Sequence, residues 1–141
     1  KSVFPDARAT AYLYRGLFNR GIFMSQILEV AKTQFRDRMS GKLQSSNVPE
    51  WVVDGKETVI FYKPSMNFKE QGEVLKLHGE GKQAEAVAMT FILRAMDEDG
   101  AKLFKRANMT ELMRSVDPDI ISRVVSEMGG DDPEFEDAVK N

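Results

Sequence analysis

The chain has 141 residues, 42% hydrophobic and 30% charged, with a formal net charge of −2, which fits one ordinary soluble domain that buries a core without covalent staples. It has no cysteine, so thiol catalysis, disulfide scaffolding and thiolate metal sites are excluded. No apolar run approaches the roughly 20 residues of a membrane span, and the acidic second half lacks the basic face that nucleic acid requires.

The charge is uneven along the chain. Residues 1–23 carry Lys1, Arg8, Arg15 and Arg20 against Asp6, whereas the last 45 residues carry twice as many acids as bases. The opening "KSVFPDARATAYLYRGLFNRGIF" lacks the compact apolar core of a secretory signal, and Met24 begins "MSQILEVAKTQF" as a protein start would. Arg20-Gly21 can be encoded by a purine-rich ribosome-binding sequence. Residues 1–23 are therefore expected to be translated upstream sequence or an expression-derived extension, with a flexible N-terminal arm as the alternative.

From Ser25 to Met39, Ile27, Leu28, Ala31, Phe35 and Met39 recur at helical spacing, which predicts an amphipathic helix ended by a left-handed Gly41. "KLQSSNVP" reads as a loop. Asp54-Gly55 lies between the apolar runs 51–53 and 58–62. Such a pair tolerates the positive φ of a tight hairpin, so strands are expected near 50–53 and 57–63, stopped by Pro64.

The remainder reads as helix. Asn67 with Glu70 forms a capping box for a helix over 68–78, which "GEGKQ" breaks. Ala84, Val87, Ala88, Phe91, Ile92 and Ala95 then make an unbroken apolar stripe, the main core candidate. Asn108 with Glu111 suggests a further capping box for a short helix bearing Leu112 and Met113. Asp117-Pro118 starts another helix, since proline at the first helical position loses no hydrogen bond. Ile120, Ile121, Val124, Val125 and Met128 form its buried face and Gly129-Gly130 end it. "DDPEFEDAVKN" admits one last acidic turn from Asp132. The fold class is α+β, predominantly helical with one short β-hairpin.

Four places invite a functional reading. "MDEDGAKLF" at 96–104 sets three carboxylates beside a glycine. With Gly100 at position 6 of an EF-hand loop, Asp97 and Asp99 fit positions 3 and 5, but Ala95 and Arg106 fall at positions 1 and 12, so the loop lacks both ends. A regulatory calcium- or peptide-binding module using this acidic loop is the alternative function, and a hydrolase whose carboxylates only the fold assembles is a third. The simplest reading is a turn built on Asp99 and Gly100, after which Leu103 and Phe104 return to the core. His78, the sole histidine, stands at a helix end where the dipole favours a cation. Trp51, Phe61 and Tyr62 on the hairpin either cover the helices or remain exposed as protein-binding anchors. Phe135, alone in an acidic tail, docks either on its own domain or on another subunit. No phosphate-binding loop or nucleophile motif occurs, and no catalytic residue, cofactor or metal is expected.

The order of motifs adds to this. "VPEW" at 48–51 leading into a hairpin, "DEDGAKLF" at 97–104 followed by the Leu112 helix, and the ending "EDAVKN" together resemble the tail assembly chaperones of long-tailed bacteriophages. The resemblance covers Val48 to Asn141. Val139-Lys140-Asn141 can also be encoded with the A-AAA-AAC heptamer on which ribosomes slip, and members of that family are made in short and frameshift-extended forms. The resemblance implies a single domain over 24–141 and a non-enzymatic factor of the host bacterial cytoplasm, absent from the mature virion. It implies binding to the tape measure protein, recruitment of major tail tube subunits through the extended form, and self-association into a homo-oligomer.

Overall fold

A computed structural model describes residues 20–129, with side chains from Phe23 onward. Phe135 and the expected turn from Asp132 lie outside the described residues, as do residues 1–19. The chain divides into two compact units, one ending at Gly41 and the other beginning at Lys42.

In the first unit, α1 runs Arg20–Met39 without a break at Met24, so the division expected between residues 23 and 24 falls inside a helix. Met24, Ile27, Leu28 and Val30 are each more than half exposed. The helix ends differently from expectation. Gly41 does not take a positive φ; the Ser40 backbone N–H instead donates to the Arg36 carbonyl at 2.9 Å and the Ser40 hydroxyl to the Asp37 carbonyl at 3.0 Å. These bonds cap the last turn without a left-handed residue.

The second unit is α+β and predominantly helical. It comprises β1 (Gln44–Val53), β2 (Lys56–Tyr62), α2 (Phe68–Gly79), α3 (Gln83–Arg94), a 3₁₀ turn (Arg106–Asn108), α4 (Met109–Ser115) and α5 (Pro118–Gly129). The two strands are antiparallel, and their turn has Asp54 at φ 50° and Gly55 at φ 75°, the left-handed pair that a two-residue hairpin demands. β1 begins six residues before the expected strand and takes in the supposed loop "QSSNVP". Ser46 and Val48 alternate inward and are buried, and their partners across the ladder include Ile60, which is fully buried. Pro49 is tolerated because pairing slips between Val48 and Val52, leaving no ladder bond there for it to miss.

α3 is the central helix. Phe91, Ile92 and Ala95 join Val48, Ile60 and Tyr62 of the hairpin, Leu112 of α4 and the Ile120, Ile121, Val124, Val125 and Met128 face of α5. On its other side Ala86 and Leu93 pack with Val74 of α2. α2 starts at the expected capping box: Asn67 Oδ1 accepts from the Glu70 backbone N–H at 2.8 Å, and Glu70 Oε1 accepts from the Asn67 N–H at 3.1 Å. The second expected box is absent. Asn108 Oδ1 accepts instead from the Lys105 N–H at 2.8 Å, closing the 3₁₀ turn that precedes α4. At α5 the Asp117 carboxylate accepts from the Asp119 N–H at 2.9 Å, as an N-cap should.

α5 is also tied to β1 at the surface, where Arg123 donates to both oxygens of Glu50 at 2.6 and 2.9 Å. The hydrogen bonds from Arg123 hold the Glu50 carboxyl down at about 2, against an ordinary value of 4.5. Because the folded value is lowered, the pair's contribution is complete above the unfolded carboxylate's range and fades as pH falls toward 2. Arg123→Gln is expected to return Glu50 to the ordinary carboxylate range in an NMR titration, and added salt to narrow the difference since both groups are exposed. An unchanged Glu50 titration in Arg123→Gln would show that the pair does not form in solution.

Candidate functional site

The acidic turn is built by its own first residue. Asp97 follows Met96, which bridges Phe61 of β2 on one side and Lys102 on the other, so the turn is hung from the edge of the hairpin. The Asp97 N–H donates to the Ala101 carbonyl at 2.8 Å, and the Gly100 N–H to the Asp97 carbonyl at 3.0 Å. One carboxylate oxygen of Asp97 accepts from the backbone N–H groups of Asp99 and Ala101, both at 2.9 Å. The chain reverses at Gly100, whose φ is 86°. A carboxylate so employed is an acceptor for its own loop. Among the described residues no group of three or more His, Asp or Glu side chains is placed to hold a metal ion. Phe104 packs against Phe91 with ring centroids 5.0 Å apart, but Leu103 stays 41% exposed rather than re-entering the core, because its N–H pairs with the Ala95 carbonyl and turns the side chain outward.

Substitutions distinguish the turn from a ligand site. Gly100→Val is expected to lower stability by about 1–2 kcal/mol, since a β-branched residue is strained at positive φ even though the space there is open. Asp97→Asn keeps the accepting oxygen and should shift the melting temperature little. Urea unfolding of both variants reads the difference, and equal stabilities would contradict a structural role for Gly100.

The hairpin aromatics divide. Tyr62 is buried: its hydroxyl reaches the Glu127 carbonyl at 3.4 Å and its ring lies 5.4 Å from the Arg94 guanidinium. It is a packing residue, not an exposed anchor. Trp51 is half-buried and meets Phe91 edge-on at 6.2 Å and 78°. The His78 Nδ1–H donates to the Gln83 side-chain oxygen, which joins the end of α2 to the start of α3.

Arg94 has a role that the apolar stripe of α3 concealed. It stands at i+3 from Phe91, so its stem runs into the core, and the residue is 7% exposed. Nη1 donates to the Met128 carbonyl at 2.7 Å and Nη2 to the Lys63 carbonyl at 2.6 Å, clipping the end of β2 to the last turn of α5. Burial pushes its pKa below the usual value, partly offset by Tyr62 and Glu70. Lys102 keeps its side chain about half exposed yet donates to the Leu93 carbonyl at the end of α3, and partial desolvation lowers its pKa. The helical register carried the signal for Arg94; nothing local marked Lys102.

What the unit leaves open is apolar. Ala84 and Val87 of α3, Leu112, Met113 and Val116 around α4, and Ile121 of α5 wall a groove of about 330 Å³. The groove arises because α4 is only seven residues long and cannot cover the whole flank of α3. Its polar lining is Gln83 and Ser122, and no carboxylate lines it. Comparison of the chain with protein-family models, with curated proteins and with solved structures finds no match.

Proposed function

We propose that this chain is a non-enzymatic assembly chaperone of the phage tail type. It binds the tape measure protein, keeps its long helical segments soluble and helps recruit tail tube subunits, with a frameshift-extended form supplying the tube contact. It acts in the host bacterial cytoplasm as a homo-oligomer and does not remain in the virion.

The observation that carries this reading is the apolar groove between α3, α4 and α5, a kind of surface on which an amphipathic helix can lay its apolar face. Two other features support it. The hairpin, helical core and acidic turn follow one another in the order that the resemblance implies, and α1 presents Met24, Ile27 and Leu28 to solvent. Apolar surface of this kind on a folded chain is a mark of association. Several weak contacts of one client with many copies give tight overall binding.

The test is co-expression with a phage tape measure protein, the client this reading requires, followed by pull-down and sizing. The client is expected to become soluble and to co-elute with several copies of this chain. A client that stays insoluble with this chain and with its frameshift-extended form would overturn the reading.

A further inference from the structure

α2 turns one face to solvent along its whole length. Phe68 is 86% exposed and Leu75 57%, and Gly72 lies between them at the spacing that aligns all three on one side of the helix. A Cβ added at Gly72 would meet nothing within 4 Å. Glycine inside a helix is less stable than alanine, and here the chain's own packing does not call for it. It leaves a notch between two bare apolar side chains into which another backbone can come close.

The flank of this face is positively charged, and the structure keeps it so. Lys69 and Lys76 stand seven residues apart on the same side. The carboxylates four residues on that would neutralise them are Glu73 and Glu80. Glu73 is instead held by Arg106 at 2.9 and 3.1 Å, and Glu80 by Lys82 at 3.3 Å. Glu70 is engaged in the capping box and lies 3.8 Å from Lys102. Among the described residues Lys69 and Lys76 have no ion-pair partner.

We propose that this face of α2 docks an amphipathic helix of another protein, its apolar seam set into the notch between Phe68 and Leu75 and its flanking carboxylates paired with Lys69 and Lys76. Charge argues against a second copy in an antiparallel crossing at Gly72, which brings each lysine flank against its own symmetry mate. The inference rests on the assembly-chaperone reading for the identity of the client, but the surface can be tested without any phage protein.

The probe is a designed helical peptide of Leu, Ala and Glu, with Glu flanking a Leu seam, and a counterpart in which every Glu is Lys. Binding to the full chain is read by fluorescence anisotropy. The Glu peptide is expected to bind about tenfold or more tightly than the Lys peptide, with salt weakening it. Phe68→Ser should weaken it about tenfold, and the double variant Lys69→Glu, Lys76→Glu should reverse the preference. Gly72→Gln should raise the melting temperature while weakening binding, a combination that misfolding cannot produce.

Equal binding of the two peptides, binding of neither, or indifference to Phe68→Ser would overturn the proposal. A change in the chain's own oligomeric size on Phe68→Ser would assign the face to a second copy. Peptide binding that appears only once the acids at 131–137 are neutralised would assign it to the chain's own tail, and either result likewise overturns the proposal. A client kept soluble equally well by wild type and by Phe68→Ser would remove this surface but leave the chaperone reading intact.

Discussion

Phe91→Ala is expected to lower the stability of the second unit by about 3–5 kcal/mol. Phe91 is fully buried on the central helix, between Trp51 of the hairpin and Phe104 after the acidic turn. Truncating it removes the ring's transfer free energy and leaves a cavity whose walls come from several elements, so no single neighbour can move in to fill it. Domains of this size have about 5–15 kcal/mol in total, and the loss is therefore a large share. The chain has one tryptophan, and it lies against the deleted ring, so intrinsic fluorescence follows unfolding directly. Phe91→Leu should recover most of the loss. A drop below about 1 kcal/mol for the alanine variant would mean that the core is not arranged around this helix.

The second large effect is expected at Arg94, where Met substitution should cost about 2–4 kcal/mol. Two opposing terms decide the sign. A buried guanidinium pays desolvation, which is why its pKa is lowered, and an apolar replacement recovers that term. Against this, methionine strands the carbonyls of Lys63 and Met128, each of which now receives a charge-assisted bond of 2.6–2.7 Å. Losing both bonds outweighs the recovered desolvation, because only one side of each interaction is removed. Arg94→Lys should also destabilise, since a single ammonium cannot span two carbonyls with the fixed fork of arginine. Hydrogen exchange is the informative readout: protection should fall first at the end of β2 and in the last turn of α5. A neutral Arg94→Met variant would remove the clip from the description of this fold.

Sequence patterning foretold the elements that their own residues define. The α3 stripe, the α5 face, the Asn67 box and the Asp54-Gly55 turn each depend on side chains within a few positions of one another, so local chemistry suffices to place them. It failed where a distant partner decides. Ser46 looks like loop residue until its hydroxyl is seen to donate to the Glu127 carboxylate of α5, and that contact extends β1 through a stretch with no strand signal. Asn108 was equally suited to cap α4 or to close the turn before it, and the backbone of Lys105 took it. Leu103 was expected inward because the pattern cannot show that the Ala95 carbonyl fixes the direction of the chain. The candidate site divides in the same way. Asp99 and Gly100 form a turn as their sequence implies, whereas Tyr62 is buried by Arg94 and Glu127, residues 32 and 65 positions away. The exposed seam of α2 had no sequence signal, because the partners that leave Lys69 and Lys76 unneutralised come from Arg106 and Lys82.

The ties between the hairpin and α5 also set the order in which the chain can fold as it is made. Ser46 and Glu127 are 81 residues apart, Glu50 and Arg123 73, and Tyr62 and Glu127 65. A two-stranded hairpin by itself is marginal in water, so β1 and β2 leave the ribosome early and wait without their partner. Closing such long loops is slow, and the native unit becomes available only after α5 has emerged. Throughout that interval Val48 and Ile60 lack their core, and the nascent hairpin is the segment most exposed to wrong partners.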